Sequence, residues 1–379
     1  MRRPSKLLGG LTPEEFMRRH WQRRPLLVRR AIEGAAAPLS RAELFVLAGR
    51  EDVESRVVRK RGSRWSLAHG PFARSALPPV RAPGWTLLVQ GVDLQHDGAR
   101  ALLEQFRFVP DARLDDVMIS WAGDGGGVGP HVDSYDVFLL QVRGRRRWRI
   151  ARRFDLALDE RAPLKVLRRF EAEKEYVLEP GDLLYLPPGW AHDGVAVGGD
   201  CMTCSIGLRA PRRGDLAAEL AQRLAETYAD DGLYGDAGQR PTATPAAIPL
   251  ALATFAADAV RRLTKQPGAV ARALGEVLSE PKPHVWFTKR GAPRRLGAVA
   301  LDRRTRMLYD SRHVYINGEC VAVRSRDAAL LRALADERAL DARAVRGASR
   351  STRALLAEWL AAGWLLAIKP SELRSATRP

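Results

Sequence analysis

The chain has 379 residues, which is more than one ordinary hydrophobic core accommodates, so we expect two or three domains. Hydrophobic residues make up 46% of it, which is enough for globular folding, and no apolar run approaches the ~20 residues of a membrane helix. The 62 Lys and Arg residues against 44 Asp and Glu give a net charge of +18, which favours contact with nucleic acid or ribonucleoprotein. Arginine spread over a surface without function gives the same charge.

Cysteine usage and the N-terminus indicate a cellular compartment. Cys201, Cys204 and Cys320 are too few for a disulfide framework and fit a reducing environment. Cys201 and Cys204 have zinc-site spacing, but their apolar setting and the lack of a second pair predict a strand with buried thiols. No apolar run of signal-peptide length follows the basic N-terminus. We therefore expect a cytoplasmic protein without membrane contact.

The N-terminal part of the chain mixes short helices and strands. Thr12–Glu15 has an N-cap residue, a proline and two acids, which predict the start of a helix. Pro25–Ile32 and Trp85–Leu94 are predicted as strands. Leu39–Gly49 is predicted as a capped helix, and Asp97–Phe108 as a helix with apolar residues at the helical period.

From Asp115 the pattern changes to short strands separated by Gly and Pro turns. Strict alternation along the strand that starts here places Asp116, Met118 and Ser120 on one face and Val117, Ile119 and Trp121 on the other. Turns at Glu179–Asp182 and Pro187–Gly189 flank another short strand, and Cys201–Pro211 predicts one more. This organisation is typical of a jelly-roll or cupin barrel, in which inward residues of neighbouring strands converge.

Three residues of this region have the order of a metal site. His131 and Asp133 lie two residues apart after a Gly-rich stretch, so on a strand they face the same side, and His192 follows in PPGWAH. Two imidazoles and one carboxylate suit Fe(II) and leave open positions for a cosubstrate and O2. The alternatives are three unrelated polar residues or a cupin that holds another metal.

A basic strand follows the first two ligands. If Arg146 and Trp148 face the barrel interior, Arg145 and Arg147 face outwards, and a buried guanidinium needs an anionic partner. A dicarboxylate cosubstrate provides one, because guanidinium binds carboxylate bidentately. The alternatives are that these arginines are solvated or bind the substrate.

Other inward positions of the barrel are candidates for further contacts. Ser120 and Ser205 are candidates for hydrogen bonds to the cosubstrate. Asp116, Met118 and Tyr135 are candidates for a substrate pocket, and an inward Asp116 suits a cationic side chain. Ordinary packing is the alternative for each of these residues.

The C-terminal half of the chain becomes helical. Amphipathic segments after Pro211 predict a helical subdomain, whose apolar positions pack on the barrel or on a second subunit. Further on, Asn317-Gly318 predicts a hairpin turn, and Ser325 and Ser351 predict helix starts. We therefore expect an α+β chain with a barrel domain at 1–210, a helical subdomain at 211–281 and a winged-helix-like domain at 282–379.

Four segments of the chain resemble a known family, namely the JmjC-type, Fe(II)- and 2-oxoglutarate-dependent ribosomal oxygenases. Among them, the sequence is similar to the bacterial arginine hydroxylases that act on the sixteenth protein of the large ribosomal subunit. The resemblance covers about residues 1–210 and is architectural thereafter. The segments are Thr12–Ile32 (with HWQRRPLLV), Met118–Ile150 (with GPHVDSYD), Pro180–Ala196 (with PPGWAHDG) and Ser205–Pro211.

The resemblance implies a double-stranded β-helix, a dimerising helical region and a winged-helix-like end. It also implies residue roles: iron at His131, Asp133 and His192, the cosubstrate carboxylate at Arg146, and target-arginine contacts near Asp116, Met118 and Tyr135. One departure is Ala122, where the family leads us to expect a small hydroxyl residue that helps to hold 2-oxoglutarate.

The interpretation is a protein hydroxylase with Fe(II), 2-oxoglutarate and O2, acting on the β-carbon of an arginine in a ribosomal protein as a homodimer. The first alternative is a metal-dependent cupin enzyme without 2-oxoglutarate. The second is a ribosome- or nucleic-acid-binding protein without catalysis, and the third is a JmjC demethylase of methyl-lysine.

Overall fold

The computed structural model describes residues 4–34, 36–291, 296–323 and 326–369. Within them the chain forms two compact units, with the boundary between Ala210 and Pro211. Each unit has its own apolar core. We retain the division into three domains, with boundaries after residues 210 and 281, as a proposal.

The described residues of the first unit form three α-helices and ten strands. The helices are α1 (Pro13–Arg19), α2 (Arg41–Leu47) and α3 (Asp97–Glu104). The strands are β1 (Leu26–Val28), β2 (Ser55–Arg61), β3 (Arg64–His69), β4 (Trp85–Val89), β5 (Leu114–Ala122), β6 (His131–Val132), β7 (Asp136–Ala151), β8 (Lys174–Leu178), β9 (Leu183–Leu186) and β10 (Ala191–Leu208).

Helices α1 and α2 begin at capping boxes. The Thr12 hydroxyl accepts from the Glu15 N–H, and the Glu15 carboxylate accepts from the Thr12 N–H. Ser40 and Glu43 repeat this pair of bonds at the start of α2. Such bonds satisfy N–H groups that the first helical turn leaves without partners, and they confirm both predicted helix starts.

The strands of the first unit form one antiparallel sheet with the order β1-β9-β7-β10-β5-β4-β2-β3, with β8 added on β7 and β6 on β10. Strand alternation separates two environments. On β5, Val117, Ile119 and Trp121 belong to the larger apolar core, whereas Asp116, Met118 and Ser120 line a cavity. On β7, Phe138 and Leu140 join the larger core, and Val137 and Leu139 face the cavity.

The N-terminal segment is anchored to the barrel by a buried polar group. The Gln22 side chain and the Tyr185 hydroxyl donate to the two oxygens of Asp136, and the Gln22 N–H donates to the Tyr185 oxygen. Trp21 stacks on Tyr185 with ring centroids 6.0 Å apart. Desolvation raises the pKa of Asp136, while hydrogen bonds from its neighbours, including Arg113, act against that shift. The Trp-Gln part of the N-terminal motif is therefore structural.

Two predicted strands are shorter than expected. In place of Pro25–Ile32, β1 covers only the three residues that pair with β9, because Arg30 takes a positive φ of 50° and donates its N–H to Asp182. In place of Trp85–Leu94, β4 ends at Val89, because Gly91 takes a φ of 61° and turns the chain.

The second unit contains six described helices and six described strands. The helices are α4 (Arg213–Thr227), α5 (Leu250–Lys265), α6 (Ala269–Ser279), α7 (Arg326–Glu337), α8 (Ala342–Gly347) and α9 (Arg350–Ala361). The strands are β11 (Ala298–Leu301), β12 (Met307–Tyr309), β13 (His313–Ile316), β14 (Glu319–Ala322), β15 (Ala339–Leu340) and β16 (Leu365–Ile368). They form two small sheets, β15-β11-β16 and β12-β13-β14.

The predicted hairpin is confirmed. Asn317 and Gly318 join β13 to β14 with φ values of 49° and 87°, the left-handed pair that a two-residue hairpin requires. The helix start predicted at Ser325 lies outside the described residues. Ser349, not Ser351, caps α9, because its side chain accepts from the Thr352 N–H.

All three cysteines are free thiols, and Cys201 and Cys204 are buried. They point into different apolar clusters, so the prediction of structural thiols in a strand is confirmed. Within the described residues, we find no helix with the length and hydropathy that a membrane crossing requires.

Candidate metal centre and cosubstrate pocket

Two histidines and one aspartate converge inside the first unit. His131 in β6 is paired with His192 in β10, and Asp133 follows directly after β6. The candidate ligand atoms of all three residues lie within 4.8 Å of one another. Asp133 Oδ2 is 3.5 Å from His192 Nε2, and Oδ1 is 3.9 Å from His131 Nε2. This is the one metal-type cluster among the residues that the structure describes.

Backbone carbonyls fix the tautomer of both imidazoles. Nδ1 of His131 is 2.9 Å from the Gly129 carbonyl, and Nδ1 of His192 is 3.0 Å from the Trp190 carbonyl. Because a carbonyl only accepts, each Nδ1 carries the proton, and each Nε2 lone pair faces Asp133. Metal-binding histidines in proteins are usually oriented by such a bond.

Burial keeps His192 neutral. Desolvation first, and then the neighbouring His131, lowers the pKa of His192 to about 4, although Asp133 and Asp193 act in the opposite direction. A neutral imidazole is the form that binds a metal ion. Near neutral pH, His192 is therefore in the protonation state that metal binding requires.

The three ligands line a cavity of about 380 Å³. Every candidate site residue of the sequence borders this same cavity: Asp116, Met118, Ser120, His131, Asp133, Tyr135, Arg146, His192 and Ser205. Tyr135 is 40% exposed, yet desolvation, and then the carboxylates of Asp133 and Asp116, raise the pKa of its phenol. Its hydroxyl therefore stays protonated and is able to donate.

Arg146 places a buried guanidinium in this cavity. It is only 4% exposed, whereas Arg145 and Arg147 are exposed on the other face of β7, as strand alternation predicts. Its Nε and Nη2 have no hydrogen-bond partner among the described residues. A buried cation with unpaired donors is costly, so the geometry fits an anionic ligand such as a carboxylate.

Asp116 is held by residues that the sequence did not indicate. Its Oδ2 accepts from the Gln90 side chain at 2.7 Å and from the Gly91 N–H at 3.0 Å. The side-chain amide oxygen of Gln90 (Oε1) in turn accepts from Nη2 of Arg56 at 3.4 Å. This order fixes the orientation of the amide, because a flipped Gln90 would point its oxygen at a carboxylate. In the sequence, only the glycine at position 91 marked this turn, because glycine readily adopts a positive φ.

Ala122 lies away from the cavity lining, in a small apolar cluster with Ala196 and Cys201. Its cross-strand neighbour on β4 is Thr86, which is fully buried and lines the cavity. A hydroxyl therefore lies beside position 122, although on another strand, and it donates to the Gly127 carbonyl at 3.5 Å. Ser120 and Ser205 provide two more hydroxyls to the cavity.

An antiparallel barrel with a two-histidine, one-carboxylate site and a buried arginine beside it defines a jelly-roll metalloprotein with open coordination positions. Residues 101–216 match the JmjC domain family, and residues 262–366 match the ROXA-like winged helix. The chain is 37% identical over 271 residues to the ribosomal protein uL16 3-hydroxylase of Escherichia coli (strain K12), and the match covers 71% of each protein. It therefore belongs to the JmjC ribosomal oxygenases.

Further relatives agree with this family. A probable ribosomal oxygenase of Haemophilus influenzae is 36% identical over 211 residues, which are 54% of this chain and 52% of that protein. The X-ray structure of E. coli ycfD superposes with a TM-score of 0.83 at 33% identity and covers 97% of this chain and 100% of its own. The complex of that E. coli ribosomal oxygenase with cobalt and 2-oxoglutarate has a TM-score of 0.79 at 33% identity, with 94% of this chain and 98% of its own covered. These matches confirm the predicted barrel fold and winged-helix end.

Proposed function

We propose that this chain is an Fe(II)- and 2-oxoglutarate-dependent hydroxylase that acts on the β-carbon of an arginine in the sixteenth protein of the large ribosomal subunit. The E. coli relative is named a ribosomal protein uL16 3-hydroxylase, which supports both the reaction and the substrate. His131, Asp133 and His192 would hold the iron. When bound, Fe(II) and 2-oxoglutarate together with O2 supply the oxidising chemistry that hydroxylates an unactivated C–H bond and release succinate and CO2.

The buried guanidinium of Arg146 is the observation that carries the proposal. A cupin enzyme without 2-oxoglutarate has no need for two unpaired N–H groups beside its metal ligands. A dicarboxylate satisfies them through a charge-assisted, bidentate contact. Ser120, Ser205 and Thr86 line the same cavity. The hydroxyls of Ser120 and Thr86 donate to the carbonyls of Thr203 and Gly127 over a long 3.5 Å, and they would have to rotate to donate to this cosubstrate.

The carboxylate of Asp116 in the same cavity supports a cationic substrate. Asp116 is 2% exposed and oriented by Gln90 and Gly91, so its negative charge has a defined position. Met118 and Tyr135 border the same space and would contact the aliphatic part of an arginine side chain. The residues of the chain thus bind, orient and exclude water, while the oxidation belongs to the cofactor.

The direct test is anaerobic loading with Fe(II) and 2-oxoglutarate, followed by O2 and a peptide of the sixteenth large-subunit protein, read by mass spectrometry. We expect one added oxygen on an arginine together with succinate, and neither product from His192→Ala. Succinate without peptide oxidation would overturn the substrate assignment. Iron binding without succinate formation would favour the alternative of a metal-dependent cupin enzyme that does not use 2-oxoglutarate.

The remaining parts of the proposal concern assembly and location. We propose a homodimer, supported by apolar side chains that α5 leaves exposed, including Leu250 at 83% and Val260 at 65%. We propose a cytoplasmic location, supported by three free thiols and a ribosomal substrate class. Contact with RNA, suggested by the net charge of +18, stays a prediction.

A further inference from the structure

A second residue of the cavity carries a buried donor without a partner. Trp148 is 5% exposed, and its indole Nε1 has no hydrogen-bond partner among the described residues. Together with Nε and Nη2 of Arg146, it gives this cavity three unpaired buried donors. An unpaired buried N–H is costly, and three donors on residues that line one cavity indicate an acceptor with several lone pairs.

The strand register places Trp148 between the metal ligands and Arg146. Along the β7–β10 ladder, Ile150 is opposite His192, Trp148 is opposite Gly194, and Arg146 is opposite Ala196. The Trp148 ring centroid is 5.8 Å from that of His192, and the Arg146 Cζ is 5.7 Å from the indole centroid. A ligand that reaches from the metal to Arg146 therefore passes Trp148.

Gly194 determines how the indole lies. A Cβ at this position would stand 2.5 Å from Cζ3 and 2.8 Å from Cε3 of Trp148, so the glycine lets the indole lie against the β10 backbone. Together with Cη2 at 2.6 Å, these atoms belong to the six-membered ring of the indole, so the face of that ring packs over Gly194. Nε1 belongs to the five-membered ring and is not among the atoms nearest to Gly194.

We infer that the Trp148 N–H donates to the distal carboxylate of the cosubstrate, beside the guanidinium of Arg146. The inference rests on the proposed function, because it assumes that 2-oxoglutarate is the ligand. It assigns the carboxylate three protein donors in place of two. In the ligand-free protein, the same N–H is a destabilising group.

The test is Trp148→Phe, which keeps an aromatic ring and removes the donor. Protein loaded with Mn(II) is titrated with 2-oxoglutarate by calorimetry, and unfolding temperatures are measured without ligand. We expect the 2-oxoglutarate Kd to rise about tenfold, the loss of one charge-assisted hydrogen bond. We also expect the ligand-free variant to unfold at a temperature no lower than that of the wild type.

The matched control is Trp85→Phe. Trp85 is 1% exposed in the other core, and its N–H donates to the Pro79 carbonyl at 3.2 Å. We expect this variant to lose thermal stability and to keep its Kd. The two variants thus separate loss of a bonded N–H from loss of an unpaired one.

A second ligand tests whether the Trp148 N–H donates to the distal carboxylate of 2-oxoglutarate. 2-Oxopentanoate keeps the keto acid and lacks the distal carboxylate, so Trp148→Phe should change its Kd less than twofold. An equal loss for both ligands, or an unchanged 2-oxoglutarate Kd, would overturn the inference while the proposed function stands. Absence of 2-oxoglutarate binding by the metal-loaded wild type would instead overturn the proposed function.

Discussion

The cavity of the first unit and helix α5 of the second leave opposite kinds of groups without partners. In the cavity they are polar and buried, since Arg146 and Trp148 contribute N–H groups without partners among the described residues. On α5 they are apolar and exposed, as Leu250 and Val260 show with 83% and 65% of their surfaces accessible. Buried donors need acceptors, whereas exposed apolar groups need other apolar groups. We therefore expect a small anion to bind in the cavity and a protein surface to cover α5.

Loss of a metal ligand is the largest change that we expect. His192→Ala leaves two ligands and should abolish both tight Fe(II) binding and hydroxylation, as measured by calorimetry and by peptide mass. His69→Ala, exposed on β3, should change neither. Retained iron affinity in the first variant would show that the metal lies elsewhere.

Removal of the buried guanidinium of Arg146 should have the second-largest effect. We expect Arg146→Ala to weaken 2-oxoglutarate binding by roughly a hundredfold, because two charge-assisted hydrogen bonds are lost, while metal binding persists. Arg147→Ala, on the exposed face of the same strand, is the control and should bind normally. An equal loss of 2-oxoglutarate affinity in both variants would mean that Arg146 has no specific role in binding the cosubstrate.

Disturbance of the Asp116 carboxylate should have a smaller effect, confined to the peptide substrate. Gln90→Leu removes the 2.7 Å hydrogen bond to Asp116, and we expect the peptide KM to rise about tenfold with unchanged 2-oxoglutarate affinity. The exposed Gln105→Leu should behave as wild type. A fall in kcat with an unchanged KM would contradict a role in substrate orientation.

Changes on α5 should leave the chemistry almost untouched. We expect Leu250→Ser combined with Val260→Ser to convert a dimer into a monomer by light scattering, with single-turnover hydroxylation within about twofold of wild type. Leu233→Ser, which alters an exposed leucine outside α5, should stay dimeric. A monomeric wild type would contradict the proposed assembly.

Local sequence patterns were sufficient to predict the inward residues. Strand alternation placed Asp116, Met118 and Ser120 on the cavity face and separated Arg146 from its neighbours, because side-chain direction follows directly from the period of a strand. The spacing of His131 and Asp133 predicted their convergence, although β6 ends at Val132 and Asp133 lies just beyond it.

Contacts between distant strands were not predictable in this way. Gln90 meets Asp116 only because β4 pairs with β5, and Gly194 meets Trp148 only through the β7–β10 register. Pairing partners depend on the whole sheet and leave no local sequence pattern. The same holds for the end of β1, because Arg30 donates its N–H to Asp182, which is distant in the sequence.

The pairing of β7 with β10 also has a consequence for chain length. His192 and the position opposite Arg146 lie four residues apart on β10, about 13 Å along an extended strand. A shift of one residue would turn every inward side chain outwards, so this spacing changes only in steps of two residues, about 7 Å. One methylene lengthens a diacid by far less than such a step. We therefore expect the fixed spacing along the strand pair to make the site selective for a five-carbon diacid over its shorter and longer homologues.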